Sequence, residues 1–197
     1  MMLDSDIFRI ETNHVEPKKG RILIAEPFLS GSYFNRSVVF LASHGHDGST
    51  GFILNKKIDF PIAEIILDIP NFQSDIFVGG PVNTDSIYYI HTLGNLLPGS
   101  RHISGGIYWG GDYSMLKHFI NSEIISPNQI IFFLGYSGWE EGQLNEEINE
   151  NSWLVSDIEP DKVMNSPLQK YMWHDTVRSI GGKYKLWENF PENPMFN

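Results

Sequence analysis

Apolar residues come in short runs separated by glycine, proline and polar clusters, and the runs define the expected elements. Strands are predicted at Arg21 to Ala25, stopped by Pro27, at Ser37 to Ser43, Phe52 to Leu54, Asp75 to Val78, Ile87 to Thr92, and Trp153 to Val155. Shorter extended pieces fall around Arg101 to Ile103 and Ile107 to Trp109 within a glycine-rich stretch. Helical spacing appears in PIAEIILDI, Pro61 to Ile69, with proline in the first turn. It recurs after Asp112, where Met115, Leu116, Phe119 and Ile120 form one face to Asn121, then as one turn at Asp161 to Met164 and loosely over Pro167 to Ile180. The loop Phe28 to Asn35 is rich in aromatics, which should fold it back onto a core.

The chain centres on IIFFLGYSGWEEGQLNEEINENSW, Ile130 to Trp153. The apolar run Ile130 to Leu134 reads as a strand covered on both faces. Gly135-Tyr136-Ser137-Gly138 reads as a sharp turn, and Ser137 with Glu140 as a capping box that starts a helix at Gly138 or Trp139. Leu144 and Ile148 give that helix one narrow apolar stripe, while Glu140, Glu141, Glu146, Glu147 and Glu150 make it acidic. Gly142 would then sit inside the helix at a cost of about 1 kcal/mol relative to alanine, which Trp139 packing over it, or a close ligand, would explain.

A chain of 197 residues is long enough for one domain with a real core. No apolar run reaches the roughly 20 residues of a membrane span, and MMLDSDIFRIE has no secretory pattern, so a cytoplasmic location is expected. There are no cysteines, which excludes disulfides and thiol chemistry. With 14 basic against 24 acidic residues the net charge is −10, a poor match for phosphate backbones.

HGHDGSTG, His44 to Gly51, links two apolar runs as a hairpin whose loop is longer than the tightest kind. Phe52 follows Gly51 where a P-loop needs lysine, so that motif is absent. His44, His46 and Asp47 are metal-ligand types, but such residues are common in turns and no second ligand cluster accompanies them, so neither metal nor cofactor is assigned.

GYSGWEEGQLNEEI followed by SW resembles the signature of the bacterial AlgH/YqgE family. Ala25-Glu26-Pro27 with Leu29, Phe34 to Val39, His44 with Gly48, Gly51, Asn55-Lys56 and Gly79-Gly80-Pro81-Val82 agree with it. The likeness runs from about Gly20 to Gly181, which divides the chain into a leader (1–19), one domain (20–182) and an aromatic tail (183–197). Hairpin-like strand clusters with inserted helices predict an α+β, single-domain fold with a mixed, strongly bent sheet. The resemblance implies further that this sheet forms a pseudo-barrel flanked by helices. Where the family often has glutamate after Gln-Leu this chain has Asn145, which weakens any mechanism needing two carboxylates there.

Three functional readings follow. The foremost is a non-catalytic module binding a small molecule or a protein, with Arg36, His44, Asn55, Gly79, Gly80, Tyr136, Ser137, Trp139 and Gln143 as ligand-binding candidates if the hairpin and the motif turn converge. A free helix N-terminus after the turn would suit an anion. The second is a hydrolase with Ser137 as nucleophile on a strand-turn-helix elbow, although Trp139 stands where that motif has glycine. The third, transcriptional regulation, is attached to the family by name. Direct DNA contact is disfavoured by the acidic charge, so regulation would pass through protein partners.

Overall fold

The computed structural model describes residues 10–29, 31–69, 72–164 and 171–191. The strands are β1 (Ile22–Ala25), β2 (Val38–Gly45), β3 (Gly48–Ile53), β4 (Ile76–Val78), β5 (Val82–His91), β6 (Arg101–Ser104), β7 (Ile107–Trp109), β8 (Ile130–Trp139) and β9 (Trp153–Ser156). The helices are α1 (Ile62–Ile65), α2 (Tyr113–Asn121), α3 (Gln143–Asn149), α4 (Pro160–Met164) and α5 (Met172–Ile180), followed by 3₁₀ turns over Gly182–Asn189. Among the described residues the strands form one nine-stranded sheet in the order β6-β7-β5-β8-β3-β2-β1-β9, with β4 parallel to β8 and every other pair antiparallel. The fold is thus α+β in a single domain with a mixed sheet.

Alternation along the strands sorts their side chains onto two faces. Ile22, Ile24, Val38, Phe40, Phe52 and Leu54 share one core with Ile90, Ile103, Ile107, Ile131 and Phe133, although β1 and β6 stand near opposite ends of the strand order. Only a strongly bent sheet brings both ends round one core. α4, α5 and the 3₁₀ turns close its concave side with Val163, Trp173, Val177, Tyr184 and Trp187. The convex side carries two separate clusters. One lies under α1 and α2 and includes Ile130 and Phe132; the other lies under α3, with Leu29, Tyr33 and Phe34 packed against it, and includes Leu23, Val39, Leu41 and Ile53. β8 is therefore covered on both faces, as its apolar run predicts.

The sheet curls without closing into a barrel, and its open ends are managed by the segment before β1. Asn13 both donates to the Val155 carbonyl and accepts from its N–H, as a neighbouring strand would, while Thr12 binds Asn151 and Trp153. At the other end Lys19 donates to the His102 carbonyl. No helix among the described residues is long and apolar enough to cross a membrane.

Several expectations need correction. The His44–Gly51 link is a tight hairpin: Gly45 pairs with Gly48, leaving only His46 and Asp47 as the loop. PIAEIILDI forms a helix only over Ile62–Ile65. β5 starts at Val82 rather than Ile87. Of the expected helix from Pro167, the described part is Met172–Ile180; residues 165–170, like 1–9 of the leader and 192–197 of the tail, lie outside the described residues.

Candidate functional site

The central motif is built differently from its local pattern. β8 runs straight through Gly135-Tyr136-Ser137-Gly138 to Trp139, and α3 begins only at Gln143. Long-range pairing overrides the turn signal, because Ser49, Thr50 and Gly51 of β3 pair with Trp139, Gly138 and Ser137. Ser137 is fully buried, and its hydroxyl donates to the Gly79 carbonyl at 3.0 Å. It is neither a helix cap nor a nucleophile on an elbow, since no helix follows it. Gly142 stands before α3 with φ +79° and open space around it, so a left-handed backbone, not a close indole, explains the glycine. The supposed anion site disappears with the early helix start, and α3 has seven residues.

Gly79, Gly80 and Gly135 serve a close backbone crossing. A Cβ on Gly79 would lie 2.1 Å from the Gly135 carbonyl oxygen, and one on Gly80 would lie 2.4 Å from the Ser137 nitrogen. Tyr136 packs edge-on against Tyr88 beside this crossing, with ring centroids 5.2 Å apart. These residues pin β4 and β5 onto β8.

Arg36 and Asn55 form a second group. The Asn55 amide donates to the Arg36 carbonyl and accepts from Val38 N–H, both at 2.8 Å, which fastens the start of β2. The Arg36 guanidinium lies over the Trp173 ring, 4.9 Å from its centroid, and donates to the Phe190 carbonyl. His44 is near the far end of β2, about 20 Å from the start of the strand at a rise of roughly 3.3 Å per residue. The candidates therefore divide into separate places.

The third group gathers where the hairpin meets the β8–α3 junction. Glu147 Oε2 accepts from the indole N–H of Trp139 at 2.8 Å and of Trp153 at 2.7 Å, while Oε1 accepts from the Gln143 amide at 2.9 Å. Gln143 Oε1 in turn accepts from Glu140 N–H. Phe34 stacks on Trp139 and meets Trp153 edge-on, so the aromatic loop does fold back. Glu147 is the organising residue missed from sequence, where it reads as part of a solvated acidic face. The available signal was Gln143 four residues before it with a tryptophan on either side.

This knot holds one wall of a groove of about 350 Å³. His44, His46 and Ser49 of the hairpin face Glu140, Glu141 and Asn145. His44 Nδ1 lies 2.8 Å from Ser49 Oγ. Gly48 permits the approach, since a Cβ there would sit 2.2 Å from the Trp139 carbonyl oxygen. The hairpin meets the motif here, but of the candidates only His44 lines the groove; Trp139 and Gln143 stand behind its wall on Glu147, and Arg36, Asn55, Gly79, Gly80, Tyr136 and Ser137 lie elsewhere. Among the described residues no group of three or more histidine and carboxylate side chains is arranged to hold a metal ion.

Away from the groove, His91 is fully buried. Its Nδ1 accepts from Leu93 N–H at 3.2 Å, which fixes the neutral tautomer with Nε2–H donating to the Gly110 carbonyl at 3.0 Å. Burial pulls its pKa below the ordinary 6.5, partly countered by the Gly110 bond. The unfolded chain therefore takes up this proton first. His91 burial is fully tolerated above 6.5 and costs stability as pH falls from there to the lower folded-state value. The urea midpoint should drop between about pH 7.5 and pH 5, and His91→Gln should flatten that slope; an unchanged slope would remove His91 as its source.

A family model described as AlgH-like matches residues 22–185. A protein from Bacteroides thetaiotaomicron described as UPF0301 is 43% identical over 198 residues, covering 100% of both chains. One of the same description from Chlorobium limicola is 39% identical over 91% of this chain and 96% of its own. The solution structure of the AlgH protein from Pseudomonas aeruginosa superposes with a TM-score of 0.66 at 25% identity, covering 91% of this chain and 98% of that one. A Corynebacterium diphtheriae crystal structure shares the fold at a TM-score of 0.72 and 23% identity, over 96% of this chain and 100% of that one.

Proposed function

This chain belongs to the AlgH-like family, and on that premise we propose that it is a binding module without chemistry of its own, whose hairpin–α3 groove takes a basic segment of a protein partner. The observation that carries this reading is the groove itself. Its wall is fixed by the Glu147 knot, while Glu140 and Glu141 are exposed on its rim. Ser137, the residue that suggested catalysis, acts as a fastener within the fold, as does Glu147. A cationic side chain entering between Glu140, Glu141 and Asn145 would gain charge-assisted hydrogen bonds, and the net charge of −10 would steer it there. A regulatory role would then act through protein contacts, in the cytoplasm.

The test is fluorescence anisotropy with short peptides bearing Lys or Arg. Glu140→Gln with Glu141→Gln should weaken the best binder roughly tenfold, about 1.4 kcal/mol. The same loss of charge at the exposed Asp85 and Glu123 should leave affinity within about twofold, and binding should weaken with salt. Equal losses from the two charge removals would mean non-specific attraction and would sink the groove. Saturable binding of a metabolite, disturbed by the same groove changes, would replace the peptide by a small ligand.

A further inference from the structure

A second concave site lies on the other half of the sheet. β7 ends at Trp109, opposite Ile90, and the chain turns away through Gly110 and Gly111 at φ +67° and +115°. β5 continues beyond that point, leaving a notch of about 430 Å³ walled by Tyr88, Tyr89, Trp109 and Tyr113, with Arg101 at its mouth. That volume lies within the range of small-molecule pockets.

Two independent features point to what would fill it. The walls are aromatic, and two of them are fixed: Tyr89 donates to the Gly111 carbonyl at 2.8 Å, while Trp109 packs edge-on against Phe52. Burial and the nearby Asp112 carboxylate push the Tyr89 pKa up to about 12, so it keeps the proton of that bond. The second feature is Arg101, exposed in an acidic chain, with its guanidinium 5.2 Å from the Trp109 ring centroid. None of the ion pairs among the described residues engages it. A guanidinium lying on an indole has its second face and its in-plane donors available to a ligand. Asp112 at the Tyr89 end repels an anion, so a ligand's charge belongs at the Arg101 end.

We propose that this notch binds a planar aromatic anion of mononucleotide size or smaller, its ring against Tyr88, Trp109 and Tyr113 and its carboxylate or phosphate on Arg101. The site is separate from the hairpin groove and does not depend on the groove's occupant.

The experiment is a titration of the full chain followed by the Trp109 indole N–H resonance. The probes are the monophosphates of adenosine, guanosine, cytidine and uridine, with benzoate and indole carboxylate, each beside its neutral nucleoside or amide. At least one anion should give a saturable shift, and its neutral counterpart should bind roughly tenfold more weakly or worse. Arg101→Ala should cost a similar factor without moving the unfolding midpoint, and Arg101→Lys should recover part of it, because it restores charge without the planar fork. A panel that leaves the resonance unmoved overturns the proposal, as does a neutral counterpart that binds equally well. That last comparison uses the unaltered protein and so decides even if the Arg101 variants fold poorly.

Discussion

Glu147→Ala is expected to destabilise the protein by about 3 kcal/mol, although the residue is half-buried on a helix otherwise rich in exposed glutamates. The change leaves the indole N–H groups of Trp139 and Trp153 without their acceptor in surroundings where the two side chains are 6% and 1% exposed. Each buried donor left unpaired costs about 1–3 kcal/mol, and water reaching the outer side of the carboxylate position keeps the sum near the lower end. Glu147→Gln should cost less, about 1 kcal/mol, because its carbonyl can still serve the indoles while its NH₂ meets the Gln143 amide as donor against donor. Glu146→Ala, one residue away and exposed, should stay within about 0.5 kcal/mol. Urea unfolding of the three variants checks the ranking. Equal stabilities for Glu147→Ala and Glu146→Ala would show that the indole bonds contribute nothing.

The same knot shows where the sequence is legible and where it is not. The alternation in β1, β2 and β3, the both-faces burial of β8, and the helix after Asp112, whose side chain accepts from Met115 N–H at 2.9 Å, follow from local periodicity and capping. α+β architecture was readable for the same reason. The junction after Leu134 was not. Ser137 with Glu140 has the spacing of a capping box, but the Ser137 hydroxyl is taken by Gly79, 58 residues away, and β3 continues the ladder beyond Gly135. Local preference loses there to long-range pairing, which single-chain patterns do not encode. The candidate ligand-binding residues are distributed over separate places in the fold. Arg36 and Asn55 fasten one end of β2, while His44 lies at the other, and only the register of the hairpin on β8 reveals which of them face the groove.

The crossing at Gly79 should be the most sensitive position of the fold. Gly79→Ala places a methyl 2.1 Å from the Gly135 carbonyl oxygen and 3.0 Å from the Phe133 Cβ. The first contact is with backbone held in the β4–β8 and β5–β8 ladders, so it cannot swing aside as a side chain would. Gly79 is not among the positive-φ glycines, which makes the cost steric rather than conformational. Relief requires β4 to lift from β8, taking with it the Ser137 bond to Gly79 and the Ile53 N–H bond to the same carbonyl. The expected loss is about 4 kcal/mol, a large part of the stability of an ordinary domain. Gly142→Ala is the matched control: it meets no atom within 4 Å but must adopt φ +79°, so it should lose only about 1–2 kcal/mol. Gly142→Asn should recover part of that, since asparagine tolerates the left-handed region, whereas Gly79→Asn should be worse than Gly79→Ala. Opposite responses to asparagine at the two positions would separate a backbone crossing from a left-handed turn. Parallel responses would mean that Gly79 is held by conformation and that the crossing has room to spare.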